Sequence, residues 1–139
     1  MEKSVRVGVG VYIFNQNNQV LLGLRKGAHG SGMWCPPGGH MEFGESNEQA
    51  VLREAKEETN LDLSPESVVL QGVTNDFYAE SGRHYITLHF FCRRFSGEPQ
   101  LMEPDKCARW QWFDVDRLPE NLFLSNRNFL KNHSLSLGA

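Results

Sequence analysis

Between Gly39 and Leu61 the chain reads Gly-His-Met-Glu-Phe-Gly-Glu-Ser-Asn-Glu-Gln-Ala-Val-Leu-Arg-Glu-Ala-Lys-Glu-Glu-Thr-Asn-Leu, and no other stretch constrains the molecule as tightly. Pro36, Pro37, Gly38 and Gly39 cannot continue a regular element, and Gly44 breaks the chain again, so the stretch opens as a turn. Ser46 followed by Gln49 has the spacing of a capping box. From Asn47 to Thr59 there is no Gly or Pro, which predicts a helix of about three turns. Asn60 stands where a left-handed residue would close it. At roughly 100° per residue, Glu54, Glu57 and Glu58 share one stripe, Val51, Leu52 and Ala55 form the packing face, and Arg53 flanks the carboxylates. Like charges on one stripe repel, and near a helix C-terminus the macrodipole disfavours them further. Many Glu-rich helix faces are merely solvated. Clustered oxygen ligands are also what magnesium or manganese requires.

The spacing extends beyond the helix. Gly39, Glu45, Arg53, Glu54, Glu57, Glu58 and Leu61 resemble the Nudix box, G-x5-E-x7-R-E-U-x-E-E-x-G-U with U a bulky apolar residue, which here spans 39–61. Two positions depart from it: Ala55 is small for its apolar site, and Asn60 replaces the last glycine. The resemblance implies an α/β fold, the Nudix α/β/α sandwich with a mixed β-sheet between helices, as a single domain over 1–139. It also implies Mg²⁺, with Mn²⁺ able to substitute. Glu54 and Glu58 are then the primary metal ligands, completed by Glu57 and the Gly39 carbonyl. Glu54 or Glu57 is the candidate acceptor of the water's proton. Arg53 would orient the glutamates, and Glu45 suits an ion pair with Arg53.

Composition agrees with this class. A chain of 139 residues suits one core, and its 40% hydrophobic and 22% charged content is ordinary for a globular protein. The net charge of −3 argues against binding a nucleic-acid polymer. Of the 17 acidic residues, Glu42, Glu45, Glu48, Glu54, Glu57 and Glu58 fall in one segment, so the acidity is local. No apolar run approaches the roughly 20 residues of a membrane span, and Met1–Arg6 lacks a signal-peptide core. Cys35, Cys92 and Cys107 show no paired spacing and read as reduced thiols of a cytoplasmic protein.

Outside the box, Val5–Phe14 and Gln19–Arg25 read as strands joined in a hairpin by Asn15-Gln16-Asn17-Asn18. Gly8 and Gly10 bare one face of the first strand, for a ligand or for close packing. Val68–Phe77 and Tyr85–Phe95 read as further strands, with Ile86, Leu88 and Phe90 alternating with Thr87, His89 and Phe91. Gly97–Lys106 reads as a loop and Arg109–Val115 as a last strand. A helical segment carrying Leu122, Phe123, Phe129 and Leu130 is then expected from Leu118-Pro119.

For substrate contacts, Arg25 with Lys26 precedes a glycine-bearing loop, and in similar Nudix proteins a basic residue at this place faces phosphate oxygens. His40 abuts the box turn and suits a phosphate contact or a supporting role; His29, His84, His89 and His133 read as structural. Phe77, Tyr78 and Tyr85 offer rings for a base, although strand aromatics more often serve the core.

Two stretches, Pro37–Ser46 and Met102–Cys107 with Trp110 and Trp112, resemble the small nucleotide pyrophosphatases of the MutT type, a branch with homodimeric members. An acidic residue that commonly follows the second stretch is Ala108-Arg109 here, so its role is vacant or passes to Glu103 or Asp105. The implied reaction is hydrolysis of a (d)NTP, oxidised purine nucleotides included, to a nucleoside monophosphate and pyrophosphate. The competing expectations are another diphosphate (a nucleotide sugar, ADP-ribose or a prenyl diphosphate) and a non-catalytic nucleotide sensor.

Overall fold

The structure is a computed structural model that describes residues 3–136; Met1 and Glu2 of the N-terminal stretch, and residues 137–139, lie outside the described residues. The strands are β1 (Val5–Ile13), β2 (Gln19–Arg25), β3 (Trp34–Cys35), β4 (Gly38–His40), β5 (Asp62–Leu63), β6 (Val69–Tyr78), β7 (Arg83–Cys92), β8 (Phe95–Ser96) and β9 (Cys107–Asp114). The helices are α1 (Asn47–Thr59) and α2 (Leu124–Leu130), with a single 3-10 turn at Pro65–Ser67. A mixed sheet runs β4-β1-β7-β6, with β1 and β7 parallel; a second sheet runs β3-β2-β9, and β5 pairs with β8.

β1 is the organising strand because both its faces are buried. Val9, Val11 and Ile13 enter one core with Leu21, Leu61, Phe90 and the α1 residues Ala50, Val51 and Ala55. Tyr12 and Phe14 enter a second core with Val20, Leu22, Trp34, Leu122 and Phe129. Such a strand needs partners on both edges, and β4 and β7 take them. The expected β1–β2 hairpin is therefore corrected. The bridge Phe14–Val20 and the Asn15 N–H to Gln19 O bond join the two ends, and beyond them β2 leaves for the second sheet.

α1 has the predicted bounds and both predicted caps. The Ser46 hydroxyl accepts from the Gln49 N–H, and the Gln49 side chain accepts from the Ser46 N–H. Asn60 closes the helix with φ 63°, its N–H reaching Lys56 O. Ala55 is fully buried, so a small residue lets α1 lie close to the sheet.

Two further expectations change. On β7 both faces turn inward: Phe90 enters the first core with Leu88 packed against it, while Tyr85, Thr87 and His89 are buried on the other face. Buried Asp76 explains this, because it accepts from the hydroxyls of Thr87 and Thr74 and from the Asn128 amide, while Thr74 also contacts His89 Nε2. The C-terminal helix starts later than Pro119. Trp34 N–H donates to Asn121 O and Phe123 N–H to Trp34 O, which holds this stretch extended until α2 begins. Among the described residues, no helix is long and apolar enough to cross a membrane.

Candidate active site

The even-numbered row of β1, Gly8-Gly10-Tyr12, faces the same side as Tyr85, Thr87 and His89 of β7. Tyr12 and His89 are covered by Phe129 of α2. Toward Gly8 none of the described residues covers the row, and a cavity of about 790 Å³ opens there. Gly8, Gly10, Gly38 and Gly39 border it; Glu54, Glu57, Glu58 and Glu103 make one acidic flank; Tyr78, Tyr85, Phe123 and His29 make an aromatic flank.

Arg53 is the hub of the acidic flank. Its Nε and Nη2 donate to both Glu45 oxygens, at 2.6 and 3.0 Å, in a bidentate pair. Nη1 reaches Glu57 Oε1 at 3.1 Å and Glu54 Oε2 at 3.5 Å, while Nη2 also donates to His40 O at 2.8 Å. One guanidinium thus fixes the box turn to the helix. It holds the Glu45 carboxyl below its usual range, chiefly through the hydrogen bond.

Glu54 and Glu58 sit deeper. Only 12% of the Glu54 side chain is exposed, against 52% for Glu57. Burial raises the Glu54 carboxyl, with the Arg53 charge opposing. Glu58 is pushed up to about 8, first by burial and further by the charges of Glu54 and Glu103, against the lowering effect of the Gly38 N–H. That N–H donates to Glu58 Oε1 at 2.8 Å.

Strand register places the box backbone. Val9 stands opposite Gly39 and Gly10 opposite Gly38, while Val11 N–H donates to Pro37 O and Met41 N–H to Val7 O. In this ladder Gly39 occupies a hydrogen-bonding position toward β1, and the polar groups of Gly38 turn to α1. The carbonyl expected from Gly39 therefore faces β1; that of Gly38 faces the carboxylates. A Cβ on Gly39 would overlap the Glu54 carboxylate, and one on Gly38 would strike Val9 O, so both positions need glycine.

The other expected residues divide. Tyr85 OH meets His40 Nε2 at 2.8 Å across the bare floor at Gly8. Burial lowers the His40 imidazole, helped by the charges of Arg6 and Arg83. Arg25 borders the cavity, yet its Nε donates to His29 O, Nη1 reaches Cys35 Sγ and its Cζ lies 4.3 Å from the Phe123 centroid. It braces the wall. Phe77 points to the outer side of β6, 59% exposed, and does not line the cavity; the next residue, Tyr78, does. Lys26 ties two loops together, its N–H donating to Lys106 O at 2.9 Å and Nζ to Pro104 O at 2.8 Å. Glu103 and Asp105, on the loop so tied, also line the cavity.

Sequence reasoning passed over Gly38, Arg83, Phe123 and Asn126, all of which line the cavity. Register explains Gly38, and an alternation count from β7 would have found Arg83. Asn126 and Phe123 come from a segment whose course depends on bonds to Trp34, a contact with no local signal.

The groups near α1 are oxygen donors, which suits a hard divalent cation. Among the described residues no three His, Cys, Asp or Glu side chains already stand together to hold an ion. Glu57 is turned to Arg53. The Glu54–Glu58 pair, both carboxyls raised chiefly by burial, nonetheless fits a cation that would lie between them and the Gly38 carbonyl, with Glu57 joining once it leaves Arg53.

A model of the NUDIX domain matches residues 4–133, and the chain belongs to this family. Its likeness is to members of the MutT type. A MutT NUDIX hydrolase from Burkholderia pseudomallei superposes with TM-score 0.85 at 35% identity, covering 93% of this chain and 98% of that one. An ADP-ribose pyrophosphatase from Methanocaldococcus jannaschii is 35% identical over 80% of this chain and 63% of its own length. An oxidized purine nucleoside triphosphate hydrolase from Danio rerio is 36% identical over 75% of this chain and 64% of its own. The chain thus spans less than two thirds of these two relatives.

Proposed function

We propose that this chain is a Mg²⁺-dependent hydrolase of a nucleoside triphosphate, (d)NTP, with oxidised purine nucleotides among its substrates, releasing a nucleoside monophosphate and pyrophosphate. The observation that carries this is one cavity with a carboxylate flank at α1 and an aromatic flank at Tyr78, Tyr85 and Phe123. A polyphosphate needs the first, through a cation, and a base suits the second. Glu54, Glu58 and the Gly38 carbonyl would hold the ion, with Glu57 beside them. The ion, Mg²⁺ or Mn²⁺, would supply charge neutralisation at phosphoryl oxygens and activation of water.

The chain's own residues do the rest. Arg53 positions Glu57 and the turn through its shared bonds, and Glu54 or Glu57 accepts the proton of the attacking water. His40, held by Tyr85 OH, and Arg83 present donors to the phosphate chain. Release of pyrophosphate and dGMP from dGTP with Mg²⁺, monitored for wild type, Glu57→Gln and Glu58→Gln, tests the reading. Both variants are expected to lose at least about 100-fold in kcat while melting cooperatively; wild-type turnover in both would remove it.

The named activity of the archaeal relative favours a second reading, hydrolysis of another diphosphate such as ADP-ribose. Comparing kcat/KM across nucleoside triphosphates, ADP-ribose and a nucleotide sugar separates the two. Three free thiols suit a reducing cytoplasm. A second copy of the chain is the partner we propose for the apolar end of the mixed sheet, where Val5, Val7, Val73 and Phe77 are exposed.

A further inference from the structure

Several arginines of this chain are held by partners of its own. Arg53 is shared among carboxylates, Arg25 braces the cavity wall, and Arg93 and Arg109 lie over the rings of Phe14 and Trp34. Arg6 and Arg83 are exposed, and among the described residues neither guanidinium makes an ion pair or a hydrogen bond. What distinguishes them from other surface cations is their place. Arg83 lines the cavity, and Arg6 stands at its lip.

Strand register brings the two together. Arg6 stands opposite Tyr85 in the parallel β1–β7 ladder, and Arg83 lies two residues before Tyr85. Both side chains therefore leave the sheet on the face that carries Gly8, Tyr85 and Thr87. His40, opposite Gly8 across the other edge of β1, joins the group. After burial, the charges of Arg6 and Arg83 are what lower the His40 imidazole. Two cations on neighbouring strands of one face repel. The acids on the adjoining elements do not relieve them: Glu42, just after β4, is turned to Arg53 at 3.3 Å, and Asp76, opposite Tyr85 on β6, is taken by Thr74, Thr87 and Asn128. An anion from outside would relieve the repulsion, and phosphate oxygens match two planar forks.

The subsite lies along the strands from the carboxylates. Gly38, beside Glu58, stands level with Gly10, and four residues separate Gly10 from Arg6, roughly 13 Å of strand toward the lip. We infer that Arg6 and Arg83 form an outer anion subsite that takes the terminal phosphate of a nucleoside triphosphate, on the leaving-group side of the bond that breaks, and so selects triphosphates over diphosphates. This rests on the hydrolase reading above and deepens it. The two arginines bind and select; the attacking water belongs to the carboxylate flank.

The test measures binding of inorganic tripolyphosphate by calorimetry in EDTA, for wild type, Arg6→Gln with Arg83→Gln, and the control Arg94→Gln, beside thermal melts. Without a divalent ion the carboxylate flank repels anions, so the cations alone are read. Wild type and the control are expected to bind alike, and the double variant at least ten-fold more weakly while melting no lower than wild type. Equal affinity in wild type and the double variant overturns the inference, as does an equal loss in the control or a wild type that binds no tripolyphosphate. With Mg²⁺, the ratio of kcat/KM for dGTP to that for dGDP is expected to fall at least ten-fold in the double variant, through KM; an unchanged ratio overturns the selectivity. Binding in EDTA needs no turnover, so a wild type that binds tripolyphosphate through these arginines yet hydrolyses no dGTP refutes only the hydrolase reading.

Discussion

Glu58 carries a conflict between stability and chemistry that mutation can separate. Its carboxyl is raised by burial and by Glu54 and Glu103, with the Gly38 N–H as its main relief. Gln keeps an acceptor for that N–H and removes the repulsion. Glu58→Gln is therefore expected to melt no lower than wild type in EDTA, with a gain of about 1 kcal/mol. Wild type should gain thermal stability on adding Mg²⁺ and lose it again to EDTA, whereas Glu58→Gln should gain little. Differential scanning fluorimetry in both buffers checks the pair. His89 sets a different limit. Fully buried between Tyr12 and Phe129, it is lowered to about 4, by burial first, with the His133 charge adding and Asp76 opposing. The unfolded chain takes up this proton near pH 6.5 and the native protein does not, so the stabilisation is complete above pH 6.5 and is lost as pH falls toward 4. The loss attributable to this residue is about 3 kcal/mol. His89→Gln should be less stable at pH 7 yet show a shallower decline in urea midpoint across that window; a parallel decline would remove the explanation.

Among the elements, α1 was the most legible, because every signal that defines it is local. Ser46 with Gln49, the Gly- and Pro-free run and Asn60 fix its ends within its own sequence. Ser46→Ala is expected to cost about 1 kcal/mol in chemical denaturation. Asn60→Gly should cost nothing or stabilise slightly, since glycine adopts the left-handed conformation freely. The strands were located within a residue or two at most ends, but their partners were not. Whether β2 joins β1 depends on competition from β4 and β7, which is settled by residues far away in the chain. For the same reason His89 was rightly read as structural, while its inward orientation, and that of Thr87, was not read at all. The alternation of β7 gives two faces but does not say which one meets Asp76. The site divides likewise: Glu54, Glu57 and Glu58 come from one helix, whereas the aromatic flank is assembled from β6, β7 and the approach to α2.

On the scale of the whole molecule, α1 covers only part of the outer face of the mixed sheet. Val73 and Phe77 on edge strand β6 stay 54% and 59% exposed, beside Val5 and Val7 on β1. An apolar end of this kind on an edge strand invites pairing with another copy. Sedimentation should find a dimer for wild type and a shift toward monomer for Phe77→Glu with Val73→Glu, with the melt of the monomer still cooperative. Monomeric wild type at high micromolar concentration would remove the proposal. The tie made by Lys26 has a consequence of its own. Through it the loop bearing Glu103 is moored to the tip of β2 by main chain and ammonium alike, so that bank of the cleft stays put. Any widening of the cleft is then expected on the opposite shore, at the turn between β6 and β7 where Gly82 holds φ 71°.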